Sequence, residues 1–217
     1  MPALLLQTSP DEKPSYEHAT VEPFPGFRVA PWFGLRVEGE TNVAFEPEIE
    51  AAFDSERLRY VPTYVGVRAG EVNGTMLRTV RVTDYLRMGA RLCIYVTSEV
   101  DGDDDADRAP LAVLFDYHAD EPIFGDLFPR HALSAGPTEW ALQHVAFSYV
   151  FALLSADPPA KAVQRDLGLS PSTADNWIAR AKTLGLLTPS SEGTDPMPQI
   201  EAWRRVMRPF GGMTGDE

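Results

Sequence analysis

The stretch PPAKAVQRDLGLSPSTADNWIARAKTLGLL, residues 158 to 187, predicts two short helices joined at a glycine. Pro158 or Pro159 suits the first position of a helix, where its missing N–H costs nothing, and Asp157 is a good N-cap before them. Gly168 is expected to end this helix because glycine adopts the left-handed conformation without a Cβ penalty. The first helix is therefore predicted to be short and to end in a sharp turn.

A second helix is predicted over residues 171 to 184. Ser170 is its expected N-cap, and Leu169 is expected as a buried plug in the turn. Spacings of three and four residues place apolar side chains on one stripe, which is expected to be buried. The members of the stripe are Ala174, Trp177, Ile178, Ala181 and Leu184. The opposite face is polar and remains free to contact a partner.

The polar face carries residue types that read double-stranded DNA. Hydroxyls and lysines contact phosphates, an asparagine amide pairs with adenine, and an arginine pairs with guanine or phosphate. The predicted contacts on the two helices are Lys161, Ser170, Ser172, Thr173, Asn176, Arg180 and Lys182. Asp175 counts against DNA, because phosphate repels a carboxylate unless it accepts from a cytosine amine. An ordinary helical hairpin with a solvated polar face is the alternative.

Residues 158 to 187 resemble the helix-turn-helix of bacterial transcription regulators, in which the pattern VxxxLGLSxSTAxxWIxxAxxLGLL recurs. More loosely, the whole chain resembles small proteins of high-GC Gram-positive bacteria and their mobile elements. These proteins pair a β-rich N-terminal region with a C-terminal segment of this kind. Asn176 stands where the family usually has a basic residue. The resemblance implies sequence-specific DNA binding.

Residues 138 to 155 predict a long helix that is apolar around most of its circumference. Its polar positions form one narrow stripe, namely Glu139, Gln143, His144, Ser148 and Ser155. A helix of this kind is buried by more than one neighbour. One side is expected to carry the two helices, and the other packs either on the N-terminal region or on a second copy of the chain.

The segment after residue 187 begins with TPSSEGTDPMPQ, which predicts either a loop or a β-hairpin wing. Residues 200 to 207 predict a short helix with Trp203 directed inward. Arg204 and Arg205 would then be exposed as phosphate anchors, and a solvated surface helix is the alternative. The last residues are expected to form a frayed end.

The N-terminal region predicts a small mixed β/α domain. Strands are expected at 27–37, 57–68 and 110–118, a turn at Asn73-Gly74, and a helix from a Thr83 cap as far as Tyr95. The predicted fold class is therefore α+β, with this domain followed by an all-α helix-turn-helix domain, winged or not. The predicted division is 1–25 (extended or disordered lead), 26–135 (acidic α+β domain), 136–188 (helix-turn-helix domain) and 189–217 (loop or wing, short basic helix and tail).

Composition limits the class of protein. The chain has 217 residues, 44% of them hydrophobic, and no apolar run long enough for a membrane span. The start MPALLLQTSP lacks the features of a signal peptide, so a cytoplasmic protein is expected. Cys93 is the single cysteine, which excludes an internal disulfide and a cysteine-based zinc site.

The net charge of −13 opposes DNA binding, but it is unevenly distributed. Residues 1 to 135 hold 23 acidic and 12 basic residues, whereas residues 156 to 188 hold 3 acidic and 4 basic ones. A nearly neutral reading surface can bind DNA, although the acidic region weakens approach at long range. Modest affinity is expected for a monomer, and a homodimer would double the contacts.

The best candidate for chemistry in the N-terminal region is the trio Asp116, His118 and Asp120. They alternate along the strand predicted at 110–118, so they share one face and could ligate a divalent metal. A strand with one apolar and one solvated face is the simpler interpretation. No phosphate-binding loop or oriented nucleophile is recognisable, so no cofactor is expected.

A DNA-binding regulator without enzymatic activity is the resulting prediction. Two alternatives remain open. In the first, the acidic domain binds a basic protein partner and the chain is an adaptor. In the second, the N-terminal domain is a metal-dependent enzyme or a ligand sensor built around Asp116, His118 and Asp120.

Overall fold

The computed structural model describes residues 3–9, 13–39, 45–97, 136–191 and 197–207. The chain is α+β, with two antiparallel sheets and a group of helices. The strands are β1 (Ala3–Gln7), β2 (Val21–Phe24), β3 (Phe27–Val29), β4 (Trp32–Glu38), β5 (Glu46–Asp54), β6 (Arg59–Arg68) and β7 (Ile94–Val96). The helices are α1 (Gly74–Thr79), α2 (Val82–Arg91), α3 (Glu139–Leu154), α4 (Pro159–Leu167), α5 (Pro171–Thr183) and α6 (Met197–Met207), with one 3-10 turn at Tyr16–His18.

The larger sheet has the strand order β1-β4-β5-β6. Buried and partly exposed side chains alternate along β4 and along β5 as far as Ala51, as expected when one face covers the core. Leu35 and Ile49 are register partners on the buried face, and Arg36 and Glu48 are partners on the open face, where they form an ion pair at 3.2 Å.

Helix α2 packs on the buried face of this sheet. It approaches so closely that a Cβ on Gly89 would overlap the ring of Phe33, which is itself fully buried. The ring of Phe33 packs edge-on against Tyr60 of β6, with the ring centroids 5.0 Å apart. A glycine is therefore required at the helix–sheet contact.

The smaller sheet has the order β2-β3-β7 and lies beside helices α3 and α6. Trp203 of α6 donates a hydrogen bond from Nε1 to the carbonyl oxygen of Pro25, at 2.7 Å, in the β2–β3 turn. The ring of Phe27 contacts those of Phe147 and Trp203, each with a centroid distance of 5.3 Å. The predicted inward direction of Trp203 is thus confirmed, and its neighbours include an N-terminal strand.

Helix α3 is the central helix of the molecule. It contacts α4, α5 and α6 and also α2 and β6 of the N-terminal region. Of the two neighbours expected for its second side, the N-terminal region is the one it packs against. Among the described residues, one cluster of buried side chains includes members of both sheets and of helices α2 to α6, so the N-terminal strands and the C-terminal helices share a core.

Residues 1–25, predicted as an extended or disordered lead, contain strands β1 and β2 and the 3-10 turn in their described part. Strand β1 pairs with β4, with Leu4 opposite Val37 and Leu6 opposite Leu35, and β2 belongs to the smaller sheet. Tyr16, which lies between β1 and β2 in the sequence, has a buried side chain. The β1–β4 pairing joins segments 27 to 35 residues apart along the chain, which local composition cannot reveal.

Other N-terminal expectations are corrected in detail. The strand predicted at 27–37 is two strands interrupted at Pro31, and β5 was not predicted. The strand predicted at 57–68 begins two residues later, after a turn. Asn73 caps α1, its Oδ1 accepting from the backbone N–H groups of Thr75 and Met76, so the expected turn begins a helix.

Helix α2 also differs from its prediction. Its N-cap is Arg81, two residues before the predicted Thr83 cap. The helix runs from Val82 to Arg91. Tyr95 lies in β7, where Arg28 is its register partner. The strand predicted at 110–118 lies outside the described residues.

Candidate nucleic-acid interface

Helices α4 and α5 are joined by the turn that the sequence predicts. Gly168 adopts the left-handed conformation, with φ 62° and ψ 30°, and the following Leu169 N–H donates to the Gln164 carbonyl at 3.0 Å. Leu169 packs against the core as the plug in the turn. The sharp change of direction is thus built from a conformation that glycine adopts most readily.

The inner face of α5 packs on α3 through small and large apolar side chains. Ala174 and Ala181 are fully buried, and small residues at a helix crossing let the two backbones approach closely. Trp177 and Ile178 flank them and are also buried. These four members of the predicted stripe are confirmed.

Leu184, the fifth predicted member, is instead 56% exposed. Helix α5 ends at Thr183, and Gly185 follows in the left-handed region, with φ 75°. The N–H of Leu186 then donates to the Ala181 carbonyl at 3.0 Å, the pattern of a Schellman motif. Leu186 takes the buried position that Leu184 was expected to fill.

A buried polar group ties α4 to α3. Asp166 has a fully buried side chain, and its Oδ2 accepts a hydrogen bond from the Ser148 hydroxyl at 2.7 Å. Its Oδ1 lies 3.0 Å from Nε of Arg165. Ser148 was expected on a polar stripe of α3. Gln143, His144, Ser148 and Ser155 of that stripe are buried, whereas Glu139 at its start is exposed.

Three hydroxyl groups gather at the N-terminus of α5. The Ser170 hydroxyl accepts from the Thr173 backbone N–H at 3.3 Å, which confirms Ser170 as the N-cap. The same oxygen lies 2.8 Å from the Thr173 hydroxyl and 3.3 Å from that of Ser172. The first turn contains no acidic residue, so the positive end of the helix dipole is not neutralised there.

The outer face of α5 is exposed and mostly polar. Its members are Ser172, Asp175, Asn176, Ala179, Arg180, Lys182 and Thr183. Asn176 and Arg180 are four residues apart and therefore neighbours on the helix surface. Arg180 forms no ion pair with any residue that the structure describes. The Asn176 and Arg180 side chains are both exposed on this face.

The remaining predicted contacts have different surroundings. Lys161 is exposed on α4. Lys182 is exposed, and its Nζ lies 5.7 Å from the centre of the Tyr149 ring on α3. Arg205 is held by Glu139, with 2.9 Å between Nη1 and Oε1, so it is less available as a phosphate anchor than expected. The side chain of Arg204 lies outside the description.

The chain leaving α5 runs back to the N-terminal sheet. Ser190 donates its N–H to the Pro23 carbonyl at 2.9 Å, and no strand is present between residues 188 and 191, the described part of the expected wing. Gln199 of α6 donates to the carbonyl oxygens of Gly185 and Thr188, at 2.6 and 2.9 Å. In its described part, the segment after α5 is thus a loop held by hydrogen bonds to β2 and α6.

A buried ion cluster joins the α3–α4 turn to the N-terminal region. Asp157 was expected as the N-cap of α4, but Pro158 takes the cap position and makes no side-chain cap bond. The Asp157 carboxylate instead pairs with Arg87, at 2.9 Å, and with Arg91, both on α2. The Arg87 side chain also donates to the Ala156 carbonyl at 3.3 Å. Sequence reasoning missed this cluster because its partners are 66 or more residues apart along the chain.

The metal candidates Asp116, His118 and Asp120 lie outside the described residues. Within the described ranges, no group of three His, Cys, Asp or Glu side chains is arranged to hold a metal ion. The described helices also include none that is both long and apolar enough to cross a membrane.

Comparison with known proteins gives no relative. No family model, no curated protein and no solved structure matches the chain.

Proposed function

We propose that the chain is a sequence-specific, double-stranded DNA-binding transcriptional regulator, and that α4 and α5 act as its helix-turn-helix. The observation that carries the proposal is the outer face of α5. It presents to solvent the Asn176 amide, a hydroxyl and the Arg180 guanidinium, which forms no ion pair with a described residue, while the opposite face is buried on α3. A helix held in this way can enter the major groove without losing its packing.

The proposed roles follow from the positions on α5. Asn176 and Arg180 face base edges, where an amide pairs with adenine and a guanidinium with guanine. Ser172 and the N–H groups of the first turn face a phosphate, which the helix dipole also attracts. The Ser170 hydroxyl already caps the helix, so it orders this turn and contacts phosphate only secondarily. No catalytic role is proposed for these residues.

The charge of the chain determines how tightly the proposed complex can bind. With a net charge of −13, the protein repels DNA at long range, and the short-range contacts of α5 must overcome this repulsion. A homodimer on a two-fold site would double those contacts. We therefore propose modest monomer affinity and a dimeric bound state.

Selection from a random duplex library with the full-length chain tests the proposal. The full chain is needed because residues 136 to 207 share their core with the N-terminal strands. An enriched motif is expected. Fluorescence anisotropy titrations then compare wild type with Arg180→Ala, which should lose about 1–3 kcal/mol of binding free energy and relax one base position.

Arg78→Ala is the matched control, because Arg78 is also an exposed helical arginine without a described ion pair. It should leave both affinity and motif unchanged. Absence of any enriched motif, together with no binding at low salt, would contradict the proposal and favour a protein partner for the acidic region. Equal losses in the two variants would show that only total charge matters.

A further inference from the structure

A cleft lies where the chain leaving α5 crosses the smaller sheet. Its volume is about 540 Å³, within the range of small-molecule sites. The N-terminal side contributes Tyr16, Glu22, Arg28 and Thr97, and the C-terminal side contributes Ser190 and Ile200. Ligand sites occur preferentially between such structural units.

Arg28 is unusual among the arginines of this acidic protein. Most described arginine side chains form an ion pair with a carboxylate. Those without an ion pair to a described residue are Arg28, Arg59, Arg78 and Arg180. The last three are exposed, whereas Arg28 is half-buried in the wall of the cleft. A partly desolvated cation without a counterion is costly, and a bound anion would offset that cost.

The surroundings of Arg28 hold its guanidinium in place without neutralising it. Its Cζ lies 5.1 Å from the centre of the Tyr16 ring, a cation–π distance. The guanidinium N–H groups form no hydrogen bond with the residues that the structure describes, so they remain able to donate to a ligand. Planar guanidinium groups bind phosphate and carboxylate through two parallel hydrogen bonds.

Glu22 limits the charge that the cleft can accept. One of its carboxylate oxygens accepts from the Gly26 N–H at 2.7 Å, which fixes the side chain at the β2–β3 turn. Its negative charge disfavours a ligand with several anionic groups. The hydroxyls of Thr97 and Ser190 add neutral hydrogen-bonding groups on both sides of the cleft.

We propose that this cleft binds a small polar molecule that carries one anionic group, a phosphate or a carboxylate, held by Arg28. The site is separate from the outer face of α5, and binding does not depend on DNA.

Titration of the full-length protein with inorganic phosphate and, separately, with acetate tests the proposal at constant ionic strength. Amide chemical shifts should change at Tyr16, Arg28, Thr97 and Ser190, with saturation in the millimolar range. The anion that saturates at the lower concentration identifies the preferred group. Changes confined to other parts of the chain, or no saturation with either anion, would overturn the proposal.

Variants separate a specific site from general salt effects, because phosphate also stabilises proteins by exclusion from their surface. Arg28→Gln should abolish the saturable response and the matching increase in Tm. Arg59→Gln removes an exposed, unpaired arginine and should retain both, and Arg28→Lys should retain a weaker response. Equal responses in Arg28→Gln and wild type would indicate an adventitious ion only. If Arg28→Gln does not fold, the shift map of the wild type and the weakened Arg28→Lys response decide.

Discussion

His144 shows at the level of one residue how burial changes chemistry. The side chain is buried on α3, and its ring lies against Trp140 with 3.8 Å between the ring centroids. Burial lowers the pKa of His144 from 6.5 to about 4, although a hydrogen bond from Nδ1 to the Trp140 carbonyl, at 2.8 Å, acts in the opposite direction. The imidazole is therefore neutral at physiological pH.

This lowered pKa predicts a loss of stability in acid. Between pH 6.5 and 4 the unfolded chain binds a proton at His144 that the folded chain does not, so the free energy of unfolding falls as pH decreases through this window. Urea unfolding at pH 7.5 and 4.5 should show a decrease about 2–3 kcal/mol larger in wild type than in His144→Gln. Parallel pH profiles for the two proteins would contradict this assignment.

At the level of elements, the contact between α2 and the α3–α4 turn fixes the direction of α4. Ala156 has a positive φ of 59°, which a residue with a Cβ adopts at some cost. Its carbonyl and the neighbouring Asp157 carboxylate both accept from arginines of α2. The Asp157 and Arg91 side chains are only 8% and 7% exposed. The N-terminal region thus holds the turn from which the two helices emerge.

Asp157→Asn is expected to destabilise the protein by about 3 kcal/mol, because it removes the buried negative charge that pairs with Arg91 and Arg87. Asp84→Asn is the matched control, since Asp84 pairs with Arg81 and Arg87 at 3.9 Å on the surface of the same helix. It should cost less than about 1 kcal/mol. Denaturant midpoints measure both effects. Similar losses of unfolding free energy in the two variants would show that the buried pair stabilises the protein no more than the surface pair.

The whole molecule is joined by one continuous core. Helix α3 contacts α2 and β6 as well as the other C-terminal helices, and Trp203 near the C-terminus packs on Phe27 near the N-terminus. Domains that share a core unfold together, whereas domains joined by a linker unfold separately. The division predicted from composition does not correspond to a gap in the packing of the described residues.

Hydrogen exchange in increasing urea tests this cooperativity. Peptides from β5 and α5 should lose protection at the same urea concentration, because each contributes to the same core. Helix α1 has no buried side chain and should exchange at lower urea, which provides an internal reference. Earlier exchange of α5 than of β5 would indicate two independent units.

The success of the sequence predictions depended on how local the signals were. Helices α3 and α5 follow their predicted bounds to within one or two residues, because caps, glycine turns and apolar spacing all lie within the helix. Strand β5 was missed although its buried and open positions alternate strictly from Glu46 to Ala51. Its glutamates and alanines have low strand propensity, which concealed the period of two.

For the candidate interface, local chemistry identified the face but not all of its members. The exposed positions of Asn176 and Arg180 follow from the spacing of the buried stripe around them. Spacing along the helix does not encode the tertiary contact that pairs Arg205 with Glu139. It also does not encode the backbone geometry that places Leu184 beyond the helix end, where it is exposed.

The sequence by itself determined the helix pair at 158 to 187, its glycine turn, its Ser170 cap and the polar face that it leaves open. These features arise from interactions within a few residues of one another. Only the tertiary structure decided that β1 pairs with β4, that Asp157 binds two arginines of α2, and that Arg28 lies half-buried beside a cleft. Each of these depends on partners far apart along the chain, whose meeting is determined by the packing of the whole core.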